Sequence, residues 1–80
     1  MNKKEAYNRV FIESFDLDEK QLNDKLEYNS IESWDSIGHM QMIAELEDIF
    51  EIEFEMDDII DFSSYSKGME ILVKYGIEVN

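Results

Sequence analysis

The residues with the clearest chemical potential are Asp35 and Ser36, which stand at the start of an apolar-periodic segment that ends at Phe50. A Ser or Asp placed ahead of such a segment is a signal for a helix N-cap. The N–H groups and the positive dipole end of a helix N-terminus favour a bound phosphate. A serine in this position can therefore carry a phosphate ester at modest electrostatic cost.

The chain resembles the acyl carrier proteins over most of its length. Asp35-Ser36-Ile37 matches the family's Asp-Ser-(Leu/Ile/Met) motif, which opens the second helix, and the resemblance continues through residues 40–50, 57–62 and the last helix. It implies that Ser36 carries a 4'-phosphopantetheine arm, attached from coenzyme A by a phosphopantetheinyl transferase. The thiol of such an arm holds the cargo as a thioester. The resemblance also implies that Asp35 helps the transferase to place its metal ion, a role compatible with capping the helix.

The resemblance further implies the partners of the chain. Besides the transferase, these are an acyl-loading ligase or acyltransferase, and a ketosynthase or other acyl-transferring enzymes. We expect them to dock on the second helix, at Ile37, Met40, Gln41, Glu45, Asp48 and Glu51. The pathway would be fatty-acid, polyketide or other specialised biosynthesis.

Some residues depart from the best-known fatty-acid carriers. Gln41 replaces an expected acid, and Glu55 stands where many carriers have proline. Trp34 and the pair Gly38-His39 look more like stand-alone carriers of specialised pathways. These differences argue against a role in bulk fatty-acid synthesis and leave the carrier mechanism untouched.

The chain is strongly acidic, with 20 acidic and seven basic residues and a net charge of −13 at pH 7. Nucleic-acid binding needs Lys and Arg to replace counterions, so this composition argues against it, and anionic membrane surfaces are disfavoured as well. No Lys or Arg occurs between Leu26 and Ser66. The acids of the second helix therefore lack basic partners one turn away, and we expect them to attract basic protein surfaces.

The chain contains no cysteine and one histidine. Disulfides, thiolate metal ligands and a thiol of its own are excluded, and a zinc site is not expected. No secretory segment or apolar run of about 20 residues is present, which predicts a cytoplasmic location. We expect one domain over residues 1–80, a monomer that acts as a carrier and has no catalytic residues.

The helical periodicity of the chain predicts an all-α fold, a four-helix bundle with a short third helix. The first helix is expected from Asn2 to Phe15, with a capping box of Asn2 and Glu5. A long connection over residues 16–33 includes one helical turn around Leu22 and Leu26. The second helix is expected to face the core with Met40, Ile43, Leu46 and Phe50. His39 is also expected on the core side, close to Ser36.

The second half of the chain completes the bundle. Residues 52–56 alternate like a strand but have no partner strand, so an extended loop is expected, with Ile52, Phe54 and Met56 pointing inward. Asp57-Asp58 opens the short third helix. Ser63 or Ser64 caps the last helix, which ends near Tyr75, before Gly76. Gly68, inside that helix, indicates either close helix packing or a gap that an acyl chain could enter.

Other functions remain open on the sequence. An aminoacyl or peptidyl carrier would use the same serine. An acidic protein-interaction module without a prosthetic group would use the acidic helix alone and would tolerate the loss of the Ser36 hydroxyl. An enzyme based on Asp57, Asp58 and Asp61 is disfavoured, because these acids have no partner base and a chain of this size offers little pocket volume.

Overall fold

The computed structural model describes residues 2–79 and consists of four α-helices joined by loops, with no β-strand in that range. Helix α1 spans Lys3–Phe15, α2 spans Ser36–Phe50, α3 spans Met56–Asp61 and α4 spans Tyr65–Lys74, while a 3-10 turn covers Glu19–Gln21. The predicted all-helical fold with a short third helix is confirmed and is compatible with a small helical bundle. Over these residues, no helix has both the length and the apolar character needed to cross a membrane.

The core is built from aromatic side chains that come from distant parts of the chain. Phe11 of α1 makes edge-on contacts with Trp34 and with Tyr65 of α4, at ring-centroid distances of 5.5 and 5.3 Å. Phe15 stacks on Trp34 at 5.1 Å. These rings tie α4 and the loop before α2 to the same face of α1, which fixes where α2 begins.

Tyr7 brings a hydroxyl group into this core. The side chain has no exposed surface, and its hydroxyl donates to the carbonyl of Tyr65 at 2.6 Å. The hydroxyl of Tyr65 donates in turn to the side chain of Asn8. Burial raises the pKa of Tyr7 well above its ordinary value, because a phenolate there would be desolvated. The neutral hydroxyls therefore join α1 to the first turn of α4.

Side-chain caps begin α1 and α4. The Asn2 side chain accepts from the Glu5 N–H at 2.8 Å and the Glu5 carboxylate accepts from the Asn2 N–H, so the predicted capping box is confirmed. Of the two serines considered for α4, Ser64 is the cap, since its hydroxyl accepts from the Lys67 N–H at 2.9 Å. Each cap satisfies an N–H group that the helix itself cannot pair.

Two methionines predicted to point inward are exposed. Met40 is 52% exposed and Met56 is 69% exposed. Ile43 and Leu46 are buried as predicted, and Met42, predicted to lie beside them, has no exposed surface. The core side of α2 is therefore turned toward Met42 and away from Met40. Helix α3 begins at Met56, one residue before the predicted start, so this methionine lies in a helical first turn instead of an extended loop.

The long first loop also differs in detail from the prediction. Its helical turn covers Glu19–Gln21 and not the segment around Leu22 and Leu26. Leu26 is nevertheless buried, and Leu22 packs against the core. The leucines therefore anchor the loop as expected, although the turn comes before them.

Gly68 of α4 is packed against two aromatic side chains. A Cβ atom at this position would overlap the Tyr7 hydroxyl and Phe62 Cζ, and would lie 2.5 Å from Phe62 Cε1. Real Cβ atoms do not approach neighbours this closely. The glycine therefore serves close packing, and the alternative that it leaves a gap for an acyl chain is wrong.

Three of the helices end in the same way. The residue at the turn has a left-handed backbone conformation, with φ of 56° at Asp16, 55° at Glu51 and 80° at Gly76. The N–H of the next residue donates to the carbonyl five residues back, at Leu17, Ile52 and Ile77 respectively. Each of these apolar residues packs against the core. This is the Schellman arrangement, and only α4 ends with the glycine that it favours.

The Glu51→Gly variant is expected to raise the free energy of unfolding by about 1 kcal/mol, because a left-handed conformation costs a residue with a Cβ about 1–2 kcal/mol. Urea denaturation measures the change. Glu53→Gly is the matched control: it removes the same charge, but glycine there only increases the freedom of the unfolded chain and lowers stability. A Glu51→Gly chain less stable than the wild type would contradict this account.

Candidate functional site

Ser36 is the first residue of α2 and is exposed. The sequence left open whether Asp35 or Ser36 caps the helix, and the cap is Asp35, whose Oδ1 accepts from the Gly38 N–H at 2.8 Å. Since the carboxylate satisfies the helix end, the Ser36 hydroxyl is not needed for capping. The serine therefore stands at a surface helix N-terminus where its oxygen is available for chemistry.

Gly38 allows the loop to pass close to the first turn of α2. A Cβ atom here would overlap the Ser33 carbonyl oxygen and lie 3.1 Å from Phe15 Cε1. The Ser33 hydroxyl donates to the Phe15 carbonyl at 3.0 Å, which ties the loop to the end of α1. The missing side chain at Gly38 thus helps to set the position of Ser36.

His39 is buried and is hydrogen-bonded at both ring nitrogens. The indole N–H of Trp34 lies 2.9 Å from Nδ1, and Nε2 lies 2.8 Å from the carbonyl oxygen of Ile59. An indole N–H can only donate, so Nδ1 accepts, and Nε2 carries the proton that is donated to Ile59. The predicted core-side position of His39 is confirmed. Its neutral ring links the loop before α2 to α3.

An apolar groove of about 370 Å³ opens beside Ser36. Its walls come from the start of α2, from α3, and from the loops on either side of them: Tyr28, Ser36, His39, Met40, Met56, Ile59, Ile60, Phe62 and Ser63. None of these residues is charged. Ile60 is 72% exposed at the rim. The apolar residues Met56 and Ile60 were the signal in the sequence that could have indicated this groove, but apolar type alone does not show that a side chain stays exposed.

The predicted docking residues are all exposed, at Ile37, Met40, Gln41, Glu45 and Asp48 of α2 and at Glu51, the residue that ends the helix. They do not form one patch around the serine. Met40 lines the groove with Ser36, and Ile37, 71% exposed, is the next residue after the serine. Gln41 and Glu45 instead border a separate hollow on the α1 side of the helix.

The acids of α2 have no ion-pair partner among residues 2–79. The two ion pairs in this part of the chain join Arg9 to Glu13 within α1 and Lys74 to Asp58. The exposed side of α2 therefore keeps its negative charge uncompensated, as the absence of Lys and Arg from the middle of the sequence predicted.

Asp58 of α3 is a buried acid that no local pattern in the sequence predicted. It is 4% exposed; its Oδ1 accepts from the Lys74 ammonium at 2.6 Å and its Oδ2 from the Tyr75 hydroxyl at 2.5 Å. The hydrogen bond from Lys74, followed by that from Tyr75, lowers the pKa of Asp58. The same bond to Asp58 raises the pKa of Lys74. These contacts attach α3 to the end of α4.

Acidification is expected to release this attachment. Because the pKa of Asp58 is lowered by folding, its stabilising contribution is complete above the ordinary carboxyl pKa of about 4 and is lost as the pH falls through the lowered value. Urea unfolding of the wild type and Asp58→Asn should therefore show a difference that shrinks below about pH 4. The exposed neighbour provides the control Asp57→Asn, which should change stability little at any pH. A difference for Asp58→Asn that does not depend on pH would contradict the assignment.

Comparison with known proteins gives this chain no family assignment. No protein-family model matches it, and no curated protein matches it significantly. The arrangement around Ser36 and the motif that contains it are therefore the features that bear on function.

Proposed function

We propose that this protein is an acyl carrier protein, which holds acyl intermediates as thioesters on a 4'-phosphopantetheine arm at Ser36 and delivers them to partner enzymes. The observation that carries the proposal is the placement of Ser36, exposed at the first residue of α2 and bordering an apolar groove. The Asp-Ser-Ile motif provides the chemical interpretation of that placement.

The residues around Ser36 suit this prosthetic group. The first turn of α2 offers backbone N–H groups and the positive end of the helix dipole to a phosphodiester. The cap uses Oδ1 of Asp35, which leaves the second carboxylate oxygen to help hold the metal ion of a transferase. Met40 and Ile59 give the groove an apolar wall for the aliphatic part of the arm. When bound, the group supplies a thiol, which this cysteine-free chain lacks.

Attachment asks little of the chain itself. The Ser36 oxygen forms a bond to the pantetheine-side phosphorus of coenzyme A, the phosphoanhydride bond breaks, and 3',5'-ADP leaves. The serine proton passes to a base of the transferase. Because phosphoryl transfer depends on positioning and a metal ion, both can come from the transferase. His39 is held at both ring nitrogens, so it is not available as a base, and none is needed.

Docking would follow from the charge and shape of α2. The unpaired acids at Glu45, Asp48 and Glu51 attract enzymes with basic surfaces, and exposed Ile37 and Met40 offer apolar contact beside the serine. Electrostatic attraction of this kind raises association rates and is screened by salt. The protein itself would be a cytoplasmic, monomeric carrier and not an enzyme.

Intact-mass measurement tests the proposal. The chain is incubated with coenzyme A, magnesium and a broad-specificity phosphopantetheinyl transferase. A mass gain of one phosphopantetheine group per chain supports the proposal. The absence of a gain with several transferases, under conditions that modify a known carrier in the same tube, would overturn it.

The uncompensated acids on α2 also support a second candidate, an acidic interaction module without a prosthetic group. If the protein is such a module, the wild type and Ser36→Ala would bind a basic partner with the same affinity, and neither would gain mass in the test above. An aminoacyl or peptidyl carrier would gain the same mass as an acyl carrier. It would be distinguished by the ligase that loads the thiol.

A further inference from the structure

We propose that His39 is a proton-sensitive latch, whose neutral ring holds Trp34 in the core and whose charged ring releases it, together with the loop that leads into Ser36. This inference goes beyond the proposed function. The latch belongs to the folded chain and operates whether or not Ser36 is modified.

The neutral ring sits in an apolar, aromatic surrounding. Trp34 has no exposed surface, and its ring lies nearly parallel to that of His39, 15° apart at a centroid distance of 6.2 Å. Tyr28 and Phe62 meet the imidazole with their edges, at 5.6 and 6.1 Å. The Trp34 indole has its hydrogen bond because Nδ1 presents a lone pair to it.

A second ring proton can be added only at Nδ1, since Nε2 already carries one. An imidazolium has two N–H donors and no acceptor, so the indole N–H of Trp34 would then face another N–H group. The bond from Nε2–H to the Ile59 carbonyl would survive and become charge-assisted. Protonation therefore breaks the hydrogen bond between His39 and Trp34, which releases Trp34, but keeps the bond to Ile59 that attaches α3 to α2.

The surroundings of His39 offer no compensation for the positive charge. Among the residues described, none that lines the groove is charged, and the titratable side chain against the ring is the Tyr28 phenol. From α2, the Asp35 carboxylate caps Gly38. The acids of α3 are Asp57, Asp58 and Asp61; none lines the groove, and Asp58 is bonded to Lys74 and Tyr75.

Release of Trp34 would move the backbone of the loop that leads into Ser36. Trp34 lies two residues before Ser36, and its carbonyl accepts from the Asn29 N–H at 2.9 Å. Its indole also stacks on Phe15, and it attaches residues 29–34 to the core together with Ile31 and the Ser33 hydroxyl. Protonation of the imidazole at Nδ1 would therefore be transmitted along the backbone to the loop that leads into Ser36.

The chain has one tryptophan and one histidine, so NMR of the ¹⁵N-labelled protein observes both groups without ambiguity. We expect the Nε2–H tautomer in the neutral ring and, as the pH is lowered stepwise, the indole N–H resonance to move in the same step in which the imidazole is protonated. The amide resonances of residues 29–36 should move in the same step, and those of α4 should not. An Nδ1–H tautomer, or an indole resonance that stays unchanged while the imidazole titrates, overturns the proposal.

The variant His39→Asn sharpens the test. Its amide oxygen can accept from the Trp34 indole near the position of Nδ1, but it takes up no proton when the pH is lowered. Its indole resonance is expected to stay constant, and a shift as large as in the wild type overturns the proposal. The matched control is Asp58→Asn, which alters the attachment of α3 to Lys74 and Tyr75. In this variant the indole resonance should still move when the imidazole is protonated. If His39→Asn does not fold, the wild-type titration decides alone.

Discussion

The Ser36→Ala chain is expected to gain no mass when it is incubated with coenzyme A and a phosphopantetheinyl transferase, whereas the wild type gains one group per chain. Alanine removes the only atom through which the phosphodiester would form at the start of α2. The fold should be unaffected, because Asp35 caps the helix and Ser36 is exposed. A surface substitution of this kind changes the free energy of unfolding by about 0.5 kcal/mol or less.

Ser63→Ala is the matched control for this experiment. Ser63 lines the same groove as Ser36 and is exposed, but it lacks both the Asp-Ser-Ile context and a place at the start of α2. It should be modified like the wild type. A mass gain on Ser36→Ala would show that the group is attached elsewhere, and a loss on Ser63→Ala would show that the variants act through the groove and not through the hydroxyl.

The Gly68→Ala chain is expected to be less stable than the wild type by about 1–3 kcal/mol, the usual cost of forcing an extra methyl into a filled core. In an ordinary helix the same change would add about 1 kcal/mol of stability. The sign reverses because the new Cβ would overlap Phe62 and the Tyr7 hydroxyl. Tyr7 is held by its bond to the Tyr65 carbonyl, so it cannot move aside without losing that bond.

Denaturation by urea, followed by circular dichroism, measures this loss. Glu70→Ala, an exposed position on the same helix, is the control and should change stability little or raise it slightly. A small domain has about 5–15 kcal/mol of stability in total, so the expected loss is a considerable part of it. A Gly68→Ala chain more stable than the wild type would mean that α4 does not pack as described.

The features that the sequence predicted well depend on residues close together in the chain. The capping box joins Asn2 to Glu5, and the caps of α2 and α4 reach three residues ahead, to Gly38 and Lys67. Such contacts form whenever the local segment is helical, whatever surrounds it. The number and type of the helices follow from the same short-range periodicity.

The features that could not be predicted depend on partners that only folding brings together. His39 meets the Ile59 carbonyl 20 residues later, and Asp58 meets Lys74 16 residues later. Residue type gives no indication of either pairing. Met40 and Met56 show a related limit: their apolar character suggested burial, but both are exposed, because the groove beside Ser36 is lined with apolar side chains that remain at the surface.

The buried tyrosine hydroxyls also set an alkaline limit to the fold. Burial raises the pKa of Tyr7, Tyr65 and Tyr75, and for Tyr75 the bond to Asp58 raises it further. Their contribution to stability is complete below the ordinary phenol pKa and is lost as the pH rises through the raised values, since the unfolded chain gives up these protons first. Strong base should therefore unfold the protein by ionising phenols, and the absorbance of phenolate would appear together with the loss of helix.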